Sequence, residues 1–370
     1  MIKVRNTEQR FAAGLAALLA MAGFVVALAG PAQAAVPDHW GFAYVDKPSV
    51  PGIPDPTHQA GSWPAPFKVH VTPGAVGQVF VRFPQIASKG GVIHVTAVIA
   101  RPVWCQAQTW GPSGTDEIAT IRCFKPGGAP VFVPFVVMFT TSTKGPFPAG
   151  RAYGYVHFEP ASGIVTQFNS VGAVNTVAPG PAGVWTVTTP GLGTPGQAGN
   201  VQVTAVNTAV AAKCEVNAWA SSAARQVFQV RCFNSGSTPL KTGWNLTYQR
   251  RRAVMGNQPK LFAYTFDNKP LLAGPYAPAP PPVNFNSAGA VNTIQTAGAG
   301  LRLVNFPGVG VLPNTVLVSA FHTGPGFCNL NTLWATTAGA PQVIVRDVAC
   351  YTATGALKSQ PSLITYASGS

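Results

Sequence analysis

Three pairs of cysteines, set in matching surroundings, constrain this chain more than any other feature. Cys105, Cys214 and Cys328 each open a copy, followed five, five and six residues later by Trp110, Trp219 and Trp334. Cys123, Cys232 and Cys350 close the pairs, and an aromatic comes next each time: Phe124, Phe233 and Tyr351. Sixteen residues beyond each closing cysteine stands Phe139, Tyr248 or Tyr366. A pattern that returns three times, at a period of about 110 residues, describes a tandem array of small domains. Six cysteines allow about 15 pairings. The repeat selects Cys105–Cys123, Cys214–Cys232 and Cys328–Cys350.

The residues between the cysteines alternate. With Cys214 opposite Cys232 on antiparallel strands, Val216 faces Val230 and Ala218 faces Phe228 on the cysteine side. The other side carries Glu215, Asn217, Gln229 and Arg231, with Trp219 opposite Val227. In the first copy the same register puts Ala107 and Ala119 inward and Gln106, Gln108 and Arg122 outward, with Trp110 opposite Ile118. One apolar and one polar face is what a half-buried antiparallel pair needs. Closing such a loop contributes about 3 kcal/mol in the chain-entropy account of disulfides. The third copy breaks the alternation at Arg346 and Asp347, where a bulge or a longer tip is expected.

Short strand-like runs surround each hairpin, punctuated by Gly, Pro and Asn. Residues 67–72, 78–83 and 92–99 precede the first hairpin and 131–139 follow it. The stretch 168–177 returns almost letter for letter at 285–294. Asn169, Ser170 and Gly172, like Asn286, Ser287 and Gly289, are turn formers whose side chains bond their own backbone. The expectation is an all-β chain of three tandem antiparallel β-sandwich or jelly-roll-like domains, one intradomain disulfide each. Domain one is read at 35–140, a linker at 141–150 and domain two at 151–249. A second linker is read at 250–259 and domain three at 260–370.

Residues 1–34 read as a secretory leader. Lys3, Arg5 and Arg10 give a basic start, 11–30 is apolar, and Ala32, Gln33 and Ala34 form a small-x-small cleavage site before Ala35. The apolar run is rich in Ala and Gly and leads straight into that site, so removal is expected rather than anchoring. No second apolar span follows, so the mature chain is expected outside the membrane, in an extracellular setting that suits an even cysteine count. Few charges with abundant Gly, Pro, Val and Thr describe a β protein rather than a disordered one. The Ala/Gly/Pro bias matches that of a high-GC bacterial chain. Without the leader, 21 basic and nine acidic residues remain, a formal charge of +12.

Trp110 and Trp219 are the leading candidates for binding. In the register above both lie on the polar face, Trp110 near Gln106, Gln108 and Arg122, and Trp219 near Asn217, Gln229 and Arg231. A flat ring beside hydrogen-bonding amides can hold a sugar, whose C–H groups pack on the π face while its hydroxyls meet the amides. Arg250, Arg251 and Arg252, with Lys260 nearby, form the one dense basic run and suit an anionic polymer. Enzyme signatures are poor. No HExxH or GxSxG occurs and the six histidines lack metal-ligand spacing. Asp46, Glu159 and Asp267 follow the opening strand of each copy at unequal offsets.

No catalytic residue, metal ligand or cofactor is therefore expected, and no sequence-specific nucleic-acid partner. The expected role is that of a secreted, non-enzymatic protein that binds an extracellular glycan or an anionic surface polymer. The alternatives are a self-associating adhesive surface protein and a secreted hydrolase with a site between domains.

Overall fold

Val79, Val81 and Phe83 are buried while Phe80 and Arg82 between them face solvent, and residues 186–190, 225–232 and 301–306 alternate in the same way. The structure is a computed structural model describing residues 38–142, 145–256, 259, 261–336 and 341–369. The leader, its processing site and Lys260 lie outside the described residues. The described residues are all-β, and none of their helices is long and apolar enough to cross a membrane.

Copy one contains β1 (His39–Val45), β2 (Gln59–Gly61), β3 (His70–Pro73), β4 (Gln78–Phe83), β5 (Val92–Ala97), β6 (Trp104–Ser113), β7 (Asp116–Phe124) and β8 (Phe135–Thr141). Copy two contains β9 (Ala152–Glu159), β10 (Gly163–Asn169), β11 (Thr176–Pro179), β12 (Val184–Pro190), β13 (Asn200–Val206), β14 (Ala212–Ser222), β15 (Arg225–Asn234) and β16 (Gly243–Arg250). Copy three contains β17 (Phe262–Asp267), β18 (Phe285–Asn286), β19 (Thr293–Gly298), β20 (Leu301–Phe306) and β21 (Asn314–Ala320). It ends with β22 (Phe327–Leu330), a short β23 (Ala335–Thr336), β24 (Val343–Tyr351) and β25 (Ser362–Ser368).

Each copy pairs its strands in the same order. One antiparallel sheet runs β2-β1-β8-β5, β10-β9-β16-β13 or β18-β17-β25-β21. The other runs β3-β4-β7-β6, β11-β12-β15-β14 or β19-β20-β24-β22. The disulfides join Cys105–Cys123, Cys214–Cys232 and Cys328–Cys350, with Cα atoms 4.0, 4.1 and 4.0 Å apart. Phe139, Tyr248 and Tyr366 are fully buried, each on the last strand of its copy. One glycine per copy, Gly77, Gly183 or Gly300, has φ near +75° and accepts the N–H of the closing cysteine on its carbonyl. A Cβ there would meet backbone at 2.6, 2.8 or 2.6 Å, so a side chain is excluded by both space and conformation. The repeated turns also agree across copies. Asn169 accepts the N–H of Val171 and donates to Asn175, and Asn286 does the same with Ala288 and Asn292.

The fifth strands, β5, β13 and β21, each end the antiparallel set of their own copy, yet are buried at every residue, and β13 continues onto β6 so that two of these sets form one eight-stranded sheet. An edge strand buried on both faces has to be covered, and the neighbouring copy covers it. Val206 of β13 bridges Ala107 of β6 in parallel. Phe321, just after β21, bridges Val216 of β14, and Val98, just after β5, bridges Leu330 of β22. The hydrogen bonds are equivalent: Asn207 N–H to Ala107 O at 3.0 Å, His322 to Val216 at 3.0 Å, Ile99 to Leu330 at 2.7 Å. Copy two thus leans on copy one, three on two, and one on three. The set closes into a ring.

A second cycle runs through hydroxyls two residues before each bridge. Thr96 accepts the N–H of Val318 at 3.1 Å, Thr204 that of Val95 at 3.3 Å, and Ser319 that of Val203 at 2.9 Å. The three copies are therefore related by a pseudo-threefold arrangement, and Pro37–Ser370 forms one unit.

This closure corrects the hairpin register. The pairs Cys214↔Cys232, Glu215↔Arg231 and Val216↔Val230 stand as expected, but the ladder then shifts, giving Ala218↔Gln229 and Trp219↔Phe228. In copy one the shift falls between Ala107 and Thr109, so Trp110 lies opposite Ala119 rather than Ile118. Both bulges follow the residue whose carbonyl is shared with the next copy, Val216 or Ala107. A single extra residue turns every later side chain to the other face. Both tryptophans accordingly swing toward the core. In copy three Arg346 and Asp347 bulge opposite Leu303, as the broken alternation suggested, and Asp347 has φ +59°.

Candidate functional site

The structure distributes the expected site residues unevenly. Trp219 is 6% exposed, packed on Phe228, Tyr248 and Phe266, and its indole N–H donates to Gln226 Oε1 at 2.8 Å. Trp334 is also buried, its indole N–H on Asn314. Neither offers a ring face to a ligand, which overturns the expected exposure of Trp219.

On the polar side of the hairpins, Gln106, Gln108 and Arg231 reach across to the neighbouring copy. Gln106 is fully buried, donating to Asn207 O and Val210 O and accepting Ala212 N–H. Gln108 is spent on Thr208 O and Gln78, and Asn217 on Gln229. The Arg122 guanidinium lies over Phe124 and that of Arg231 over Phe233, where Arg231 also donates to Thr323 O. The basic run is split too. Arg250 is half-buried and donates to Gly193 O, Arg251 is exposed, and Arg252 is buried with its guanidinium 3.8 Å from the centre of the Phe147 ring.

Trp110 is the exception among the matched tryptophans. Half-buried at the outer end of β6, it is fixed by an indole N–H bond to Gly90 O at 3.1 Å. Its ring lies 4.5 Å, centroid to centroid, from the imidazole of His157 on β9 of copy two. His157 Nε2 is 3.3 Å from Glu159 Oε1. The period-two spacing of His157 and Glu159 places both on one face of β9. Glu159 is seated over Gly243, where a Cβ would fall 2.3 Å from its carboxylate, so the absence of a side chain at Gly243 makes its place.

These groups line an open cleft of about 670 Å³ between copies one and two, with Gln108, Thr109, Asn207, Thr208 and Lys241 on its walls. The cleft combines an aromatic face, a carboxylate, an imidazole and a lysine with several hydroxyls. Of the three acids at or just beyond the ends of the opening strands, Glu159 alone lies here. Asp267 is buried against Arg302 and Tyr276, and Asp46 accepts the N–H of Asp55. One carboxylate supplies half of the pair that glycoside hydrolysis uses. No group of three or more His, Cys, Asp or Glu is placed to hold a metal ion among the described residues. His157 escaped sequence reasoning because its partner Trp110 belongs to a different copy. The available signal was the His157/Glu159 alternation.

Comparison with protein-family models, with curated proteins and with solved structures finds no match to this chain.

Proposed function

We propose that this is a secreted, non-enzymatic protein of three β-sandwich domains that binds an extracellular glycan in the cleft between copies one and two. The observation that carries this reading is Trp110, whose ring borders an open cleft while the matched Trp219 and Trp334 are buried. A pyranose ring packs its C–H groups against such a face, and Thr109, Glu159, His157 and Lys241 supply hydrogen bonds to hydroxyls around it. The lysine and the basic balance of the mature chain favour a sugar polymer carrying some negative charge. Supporting the extracellular setting are the three disulfides and the leader-like start of the sequence.

The test is retention on insoluble polysaccharides and cell-wall preparations, comparing wild type with Trp110→Ala and His157→Ala. Loss of retention in both variants, with folding intact, is the expected result. Retention equal to wild type in Trp110→Ala contradicts the proposal.

A further inference from the structure

The residue before each opening cysteine is Trp104, Lys213 or Phe327. The cyclic arrangement brings these three together. The Trp104 and Phe327 rings are 5.2 Å apart, and the Lys213 ammonium lies 4.9 Å from the first centroid and 5.3 Å from the second. Beside them is a cavity of about 40 Å³ lined by equivalent residues of all three copies. Thr96, Thr204 and Ser319 contribute to its wall together with Lys213. That volume admits one small ion or a very few waters.

The lysine is out of place in ordinary terms. Residue 213 is 4% exposed, and its Nζ has no hydrogen-bond partner among the described residues. The two ring faces offset part of an ammonium charge but offer no lone pair. No carboxylate among the described residues lies within ion-pair distance of it. The carboxyl whose charge it feels, Glu215, is itself driven toward the neutral form by burial. Each hydroxyl oxygen on the wall already takes a backbone N–H. For Thr96 the other contact, to Val318 O, is long at 3.4 Å, so its O–H can turn toward an acceptor.

We propose that this cavity on the pseudo-threefold axis binds a single monatomic anion of halide size, held by the Lys213 ammonium and met by the Thr96 hydroxyl. A buried charge needs a counter-charge or a full set of hydrogen bonds, and a halide supplies the first within the available volume. The role is structural: the anion completes the meeting point of the three copies.

Crystals soaked in sodium bromide and measured at the bromine edge give the direct test. An anomalous peak on the axis within hydrogen-bond reach of Lys213 Nζ is expected. Density there without anomalous signal, a buried water only, overturns the proposal, and this map requires no variant. In solution, with gluconate replacing chloride at constant ionic strength, the unfolding constant should fall about tenfold for each tenfold rise in chloride above its Kd. Lys213→Met should lose that dependence. A Lys213→Met protein that folds and keeps it contradicts the assignment.

Discussion

Glu215→Gln is expected to stabilise this protein, and the ring of copies explains why. The residue after each opening cysteine faces the next copy. There Gln106 makes three hydrogen bonds to copy two, and Asn329 donates to Arg101 O and Val103 O of copy one. Glu215 is 1% exposed, and neither carboxylate oxygen has a hydrogen-bond partner among the described residues. Burial raises its pKa well above the ordinary carboxylate value, against the pull of Lys213, Arg231 and Lys358. A buried polar group left unpaired costs about 1–3 kcal/mol, and more when charged, so an amide should gain about 2 kcal/mol at pH 8. Entropy of unfolding of about 2.1 cal/mol/K per residue, over a unit of about 330 residues, converts this to roughly 3 °C in Tm.

The sign of the pH dependence follows from the raised pKa. Between the ordinary carboxylate pKa and the raised one, the folded state keeps a proton that the unfolded state has released. The wild-type contribution is therefore best in acid and is lost as pH rises through the folded pKa. Glu215→Gln removes that slope, so the two proteins should converge near pH 4 and diverge by pH 8. Scanning calorimetry across that range reads both effects. A variant less stable than wild type at pH 8, with the gap closing in acid, would show that the carboxylate is paired and refute the reasoning.

Other consequences are equally open to measurement. Trp219→Ala should cost about 3–5 kcal/mol as a core truncation, whereas Trp110→Ala should cost much less, and denaturant titration separates them. Gly183→Ala, at φ +73° and 2.8 Å from Cys232 O, should destabilise by about 2 kcal/mol or more in the same assay. Burial lowers the His94 pKa to about 3, with its nitrogens on Thr204 and Thr247. Its stabilising neutral form is therefore lost as pH falls from the ordinary histidine value toward about 3. The difference between wild-type and His94→Gln stability should change by up to about 1.4 kcal/mol per pH unit in that window.

What could be read from the sequence was what is decided locally. The disulfide pairing and the register through Val216 depend on two neighbouring strands, and the Asn169 turn depends on its own backbone. Beyond Val216 the register answers to His322 of another copy, which no pattern within the hairpin records. The same holds for β13, whose Gln202 and Thr204 look like a solvated face. They are spent on Leu363 O of copy three and His94 of copy one. Polar residues that close an interface and polar residues that meet water give the same alternation. The cleft was half legible: Trp110 and Gln108 stood out, while His157 acquires its meaning only when β9 is brought beside β6.

Small-angle X-ray scattering on the chain from Ala35 onward tests the closed ring most directly. A single closed unit of about 336 residues should have a radius of gyration near 20 Å, whereas three such copies strung in a line would give about 30 Å. A value near 20 Å, unchanged on dilution, is predicted. A value near 30 Å would mean that the three copies do not close on one another, and the shared axis and the cleft at Trp110 would fall with the ring.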